Sequence, residues 1–193
     1  MNSTERILVM GVGNPLMRDE GIGPRVVELL SAGYDFPDNV EIVDAGTMGY
    51  YILDMLRGVD RLILVDAVRE TGHPAGTVLL LTPDDLAANQ VMHSLHDLRI
   101  VDVLQAAALT DRAPETVCVG VQIESIEEWV LELSPPCAEA IPVAAAAVLD
   151  QLEELGVVPT PHEGADNVNA QVLEAMRTYE PIPEAAPEPF SKD

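Results

Sequence analysis

Aromatic side chains, basic residues and cysteines are all scarce in this chain of 193 residues, and each shortage removes a class of protein. Aromatics supply 4% of the residues, so a core must be assembled from Val, Leu, Ile and Ala. Lys and Arg together number 10 against 33 Asp and Glu, a formal charge of −23. Such a surface repels nucleic acid and anionic membranes and attracts basic segments of a partner. Two cysteines, Cys118 and Cys137, do not make a disulfide framework. Cys118, inside Val117-Cys118-Val119, reads as a small buried thiol. No apolar run approaches the roughly 18 residues of a membrane span. No basic N-terminal segment precedes a signal-like apolar stretch either. The expectation is a soluble, cytoplasmic protein without nucleic acid or membrane among its partners.

What is present alternates between apolar runs and helical stripes. Ile7-Leu8-Val9-Met10 is short, apolar and followed by glycine, as a buried strand is. Ile22, Val26, Leu29 and Leu30 repeat at helical spacing, with Pro24 tolerated in a first turn and Gly33 as a stop. Val40 to Val43 gives a second strand, residues 48–57 a helix, and Arg61 to Val65 a third strand. This β-α-β-α-β opening predicts parallel strands covered by helices on both faces. Gly72, Pro74 and Gly76 then break a link too short for a crossover helix, so Thr77 to Leu81 is expected to run antiparallel. A two-sided apolar helix from about Asp97 to Leu109 and a fifth strand, Thr116 to Val121, follow. An alanine-rich helix reaches about Leu155, with Pro142 either kinking it or lying in its first turn. The domain is therefore placed at residues 1–158. Residues 159–193, acidic and proline-rich, read as a disordered tail with one weak amphipathic turn at Val172, Leu173 and Met176.

The first loop carries the chemistry. Gly11-Val12-Gly13-Asn14 after a strand invites a dinucleotide-binding reading, but Leu16 stands where the third glycine of that fingerprint belongs. Asp19 and Glu20 at the following helix start oppose a phosphate. Acids instead mark the strand ends: Glu20 closes the first loop, Asp44 ends the second strand and Asp66 the third. In an open parallel sheet those ends share one edge, where ligands bind. Three carboxylates there are costly unless a cation compensates them. Taken singly, Asp44 or Asp66 would be no more than a cap or a turn residue. His96 adds a nitrogen donor, in Ser94-Leu95-His96-Asp97, a capping pattern that puts it in a first helical turn. There the helix dipole disfavours protonation and keeps the imidazole available to a metal. His73, His93 and His162 have no comparable context and are read as ordinary histidines. Glu20, Asp66 and His96 together make an open divalent-metal site with positions left for substrate or water.

The segment from Ile7 to Gly23, ILVMGVGNPLMRDEGIG, closely resembles the opening of the hydrogenase maturation proteases. Asp44-Ala45-Gly46-Thr47, Leu64-Val65-Asp66-Ala67, Pro74-Ala75-Gly76-Thr77 and Ser94-Leu95-His96 continue the match. So do Val101-Asp102-Val103-Leu104, residues 119–125 and Leu133-Ser134-Pro135, in order, over roughly residues 6–156. Ala45 and Leu95 depart from the usual pattern without touching a ligand.

The resemblance implies a three-layer α/β/α sandwich, phosphorylase/hydrolase-like, with a five-stranded, mostly parallel sheet containing one antiparallel strand. It implies an endopeptidase, a hydrolase, whose partner is a hydrogenase large-subunit precursor loaded with nickel. The family's cut falls just after a C-terminal Cys-x-x-Cys-x-x-His or Arg motif and removes an extension. Its metal-binding residues fall on Glu20, Asp66 and His96, which would engage nickel supplied by the substrate, with other divalent ions able to substitute. Either the metal polarises the scissile carbonyl or a water, or it positions the peptide while Asp44 or Asp66 activates water. Two alternatives stay open: a nickel-binding maturation chaperone that does not cut, and a nucleotide-binding α/β enzyme. A monomer is the favoured state.

Overall fold

The computed structural model describes residues 5–47, 51–88, 100–110, 113–178 and 182–183. Strand β1 (Ile7–Val12) leads through a 3-10 turn (Arg18–Gly21) into helix α1 (Ile22–Gly33) and the two-residue strand β2 (Tyr34–Asp35). Strand β3 (Val40–Gly46), helix α2 (Ile52–Met55), strand β4 (Arg61–Val68) and strand β5 (Val78–Leu81) follow. Helices α3 (Pro83–Ala88) and α4 (Ile100–Thr110) precede strand β6 (Glu115–Gln122) and the long helix α5 (Pro135–Glu154). The last described elements are β7 (Thr160–Pro161), α6 (Asp166–Thr178) and β8 (Ile182–Pro183).

The sheet order is β3-β1-β4-β6-β5-β8. β3, β1, β4 and β6 are parallel neighbours, whereas β5 runs antiparallel to β6. The five-stranded, mostly parallel sheet with one antiparallel strand is as expected. Two-residue β8 adds a short sixth strand on the free edge of β5. Pleating sorts the side chains into two cores. Ile7, Val9, Ile63, Val65, Val119 and Val121 face α1, α5 and α6. Leu8, Met10, Leu62, Leu64 and Cys118 face α2, α3 and α4. Both faces are covered, which explains the near-continuous apolar runs of β1 and β4. With few aromatics to fill space, α5 instead comes close to the sheet, burying Ala144, Ala145, Ala146 and Ala147 completely. Pro142 lies inside this helix and not in its first turn. Among the described residues no helix is long and apolar enough to cross a membrane.

The expected tail needs correction over its described part. β7 pairs antiparallel with β2, and the His162 N–H donates to Gly33 O at 2.8 Å. The His162 ring bridges Ala32 O at 3.1 Å and Asp35 Oδ1 at 3.0 Å. α6 spans 13 residues and buries Val172 and Ala175, with Met176 packed beside them, against the α1–α5 core. Composition underestimated this segment because its few apolar side chains fall on one helical face, while Leu173 points to solvent. Truncation after Val158 is therefore expected to cost about 3 kcal/mol, the scale of one fully and one partly buried apolar side chain. A urea unfolding midpoint unchanged by the truncation would refute the assignment.

Candidate functional site

The site is built where β1 and β4 end and α1 begins. Gly23, the second residue of α1, lets the helix lie directly on the strand ends: a Cβ there would stand 2.2 Å from Val12 O and 2.5 Å from Val65 O. Gly13, at φ +138°, passes so near the turn that a Cβ would stand 1.9 Å from Glu20 O. Asn14 closes the intervening bend, accepting from Leu16 N–H through its side chain and from Met17 N–H through its carbonyl, each at 3.0 Å. The 3-10 turn then delivers Asp19 and Glu20 to the interior, where both are buried.

These neighbouring acids have opposite surroundings. The Asp19 carboxylate accepts from Ser134 N–H at 2.7 Å, the Ser134 hydroxyl at 2.8 Å, Ser125 N–H at 3.1 Å and Glu124 N–H at 3.2 Å. Burial alone would raise its pKa, but the donated hydrogen bonds from Ser134 and Ser125 outweigh it and hold the group below the usual carboxylate value. Asp19 is thus a structural clamp that fastens the turn to the start of α5. Glu20, only 3% exposed, has no hydrogen-bond partner on either carboxylate oxygen among the described residues. A buried carboxylate without partners is expensive.

Asp66 lies close to it. The side chain is 5% exposed and accepts from Ala67 N–H at 2.7 Å. Burial, with the neighbouring Glu20 charge adding to it against the Ala67 hydrogen bond, pushes its pKa up to about 8. The same burial drives the Cys118 thiol well up, helped by Asp66. A protonated Asp66 beside an unpartnered Glu20 is an oxygen-donor pair that suits a divalent cation: such an ion would displace the proton and satisfy both groups.

Asp44 stands apart from this pair. Paired across from Gly11, it is exposed, and its Oδ1 accepts from Gly46 N–H at 2.8 Å, closing its own turn. Strand alternation puts Asp44 on the α1 side of the sheet, in register with Val40 and Ile42, while Asp66 follows Leu62 and Leu64 on the other side. It lines a separate groove of about 440 Å³ with Pro15, Arg25 and Glu28. His96 lies outside the described residues, as do Ser94 and His93. Among the described residues no cluster of three metal-ligating side chains occurs. In the sequence Asp19 stands out only as a charge opposing phosphate. Its partner Ser134 lies 115 residues away, a separation that no local pattern reveals.

The fold and these residues define an α/β/α protein with buried carboxylates at the strand-end edge of its sheet. The family model for hydrogenase maturation proteases matches residues 24–151. The chain is 40% identical over 162 residues to the hydrogenase 2 maturation protease of Escherichia coli K12, covering 82% of this chain and 97% of that protein. It is 38% identical over 183 residues to the hydrogenase expression/formation protein HupM of Azotobacter chroococcum, covering 92% and 86%. The solved structure of the hydrogenase maturating endopeptidase HybD from E. coli superposes with a TM-score of 0.75 at 39% identity, covering 82% and 98%. The chain belongs to the hydrogenase maturation protease family. It is a peptidase, and so a hydrolase.

Proposed function

We propose that the protein removes the C-terminal extension of a nickel-iron hydrogenase large-subunit precursor after nickel has been inserted, with Glu20, Asp66 and His96 engaging that nickel. The observation carrying this reading is the unpartnered, buried carboxylate of Glu20 beside the buried Asp66, in a chain of this family. Nickel here belongs to the substrate, and other divalent ions can substitute for it in binding. Of the two aspartates considered as bases for water, Asp66 is the better supported. It is buried beside Glu20, and an ion held there would remove its proton and leave a carboxylate able to accept one from water, whereas Asp44 closes a turn on the far face. The reading includes a cytoplasmic monomer working on a cytoplasmic precursor.

The test is incubation of the purified protein with nickel-loaded and nickel-free precursors of each hydrogenase in the host, followed by mass spectrometry of the products. Cleavage of a nickel-loaded precursor alone is expected. Binding without cleavage of any precursor would replace the proteolytic reading with that of a nickel-binding chaperone.

A further inference from the structure

Beside the turn that holds Glu20 lies a loop whose side chains the chemistry does not use. Residues 124–134 connect β6 to α5 and are stitched to residues 16–18. The Trp129 N–H donates to Leu16 O at 2.7 Å, and the Arg18 N–H donates to Val130 O at 2.8 Å. The Arg18 guanidinium also pairs with Glu127. On the outside of this seam Trp129 is 79% exposed, with Leu131 at 51% and Leu16 at 44%. Trp129 is the only tryptophan of the chain. Its φ is +65°, and that of Arg18 across the seam is +52°. A bulky side chain enters the left-handed region only at a cost that the surroundings must sustain.

A strained backbone therefore holds an indole out in water, on a seam that includes the residue two positions before Glu20. Isolated exposed leucines need no explanation, but a grouped apolar patch with an aromatic centre does. Around it Glu124, Glu128 and Glu132 are exposed and have no cationic partner among the described residues, while Glu127 is held by Arg18. An apolar centre with a free acidic rim is complementary to an apolar side chain flanked by cations, and an arginine can also stack on the indole.

We propose that Leu16, Trp129 and Leu131 form the docking surface for a segment of the substrate precursor in which an apolar side chain is flanked by lysine or arginine. The identity of the bound chain rests on the proteolytic reading given above. Because the patch lies beside the Glu20 turn and holds no reacting group, it governs how tightly the substrate binds and not the cleavage step.

Trp129→Gly separates docking from folding. Glycine adopts φ +65° without strain, so this variant is expected to melt no lower than the parent protein. Titration with purified nickel-free precursor, which is bound without being cut, gives the dissociation constant of each. Loss of the indole is expected to weaken binding about ten-fold, just under the range of an interface hot spot. With nickel-loaded precursor the same loss should appear in KM while kcat is retained. Glu128→Lys combined with Glu132→Lys should weaken binding at low salt and much less at high salt. An unchanged dissociation constant in Trp129→Gly overturns the proposal, as does a parent protein that shows no binding. A parent that dimerises through the patch, with the dimer lost in Trp129→Gly, also overturns it, because the occupant is then a second copy. Ten-fold weaker binding by the variant, with a parent that never cuts the precursor, sinks the proteolytic reading and leaves the docking surface standing.

Discussion

Asp66→Asn is expected to stabilise the metal-free protein above pH 5 while lowering precursor cleavage by at least about 10²-fold, the lower end of what a general base contributes. The stability effect follows from proton linkage. Folded Asp66 keeps its proton up to about pH 8, whereas in the unfolded chain the group ionises near its ordinary value of 3.8. Folding therefore takes up a proton throughout that window. The contribution of Asp66 to stability falls as pH rises, by about 1.4 kcal/mol per unit, until the folded group also ionises. Asparagine lacks this slope. The variant should gain on the parent by up to about 4 kcal/mol between pH 5 and pH 8. Glu20→Gln should give a smaller gain of the same sign, since Glu20 contributes to the raised pKa of its neighbour. Chemical denaturation at several pH values in the presence of a chelator tests this. Parallel pH profiles for parent and Asp66→Asn would show that Asp66 is ionised in the folded protein and defeat the argument.

Asp19→Ala should unfold the protein far more readily. The substitution strands three N–H groups, one buried and two partly buried, and a buried hydroxyl that now converge on one carboxylate. Hydrogen bonds to a charged group contribute about 1.5–3 kcal/mol each, and relaxation or water recovers part, so a loss of about 4 kcal/mol is expected. Asp19→Asn keeps the volume and one acceptor and should lose about half as much. Because the folded pKa is lowered, the stabilisation is present above the unfolded value of 3.8 and disappears as pH falls below it. The difference between Asp19→Ala and the parent should therefore shrink in strong acid. Cleavage by Asp19→Asn should also fall, since the clamp fixes the turn that presents Glu20. A parent-like unfolding midpoint for Asp19→Ala would remove the clamp from the account.

The contrast between Asp19 and Glu20 shows where sequence reasoning reaches its limit. Both are acids in one short turn, and nothing local distinguishes the one that is satisfied from the one that is not. Four donors from residues 124, 125 and 134 make Asp19 structural, and their absence around Glu20 leaves that carboxylate free. Asp44 and Asp66 present the same difficulty in a strand. Each ends an apolar run at the ligand edge, yet pleating sends their side chains to opposite faces. The parity of a strand end relative to its neighbours is set by register, which depends on partners far away in the chain.

Much was nevertheless determined by the sequence alone. The alternation of buried strand runs with helical stripes specified a parallel sheet covered on both faces, because only two-sided burial accommodates such runs. The broken link through Gly72, Pro74 and Gly76 specified the antiparallel β5, since no crossover helix fits there. The Gly-rich first loop, ending in acids, was also legible as an acidic strand-end site. Tertiary structure alone decided three further matters. It assigned Asp19 to holding the turn, it separated Asp44 from Asp66, and it built α6 into the core through Val172 and Ala175. In each case the deciding energy is burial or hydrogen bonding between residues distant in the chain, and local propensity carries no record of such partners.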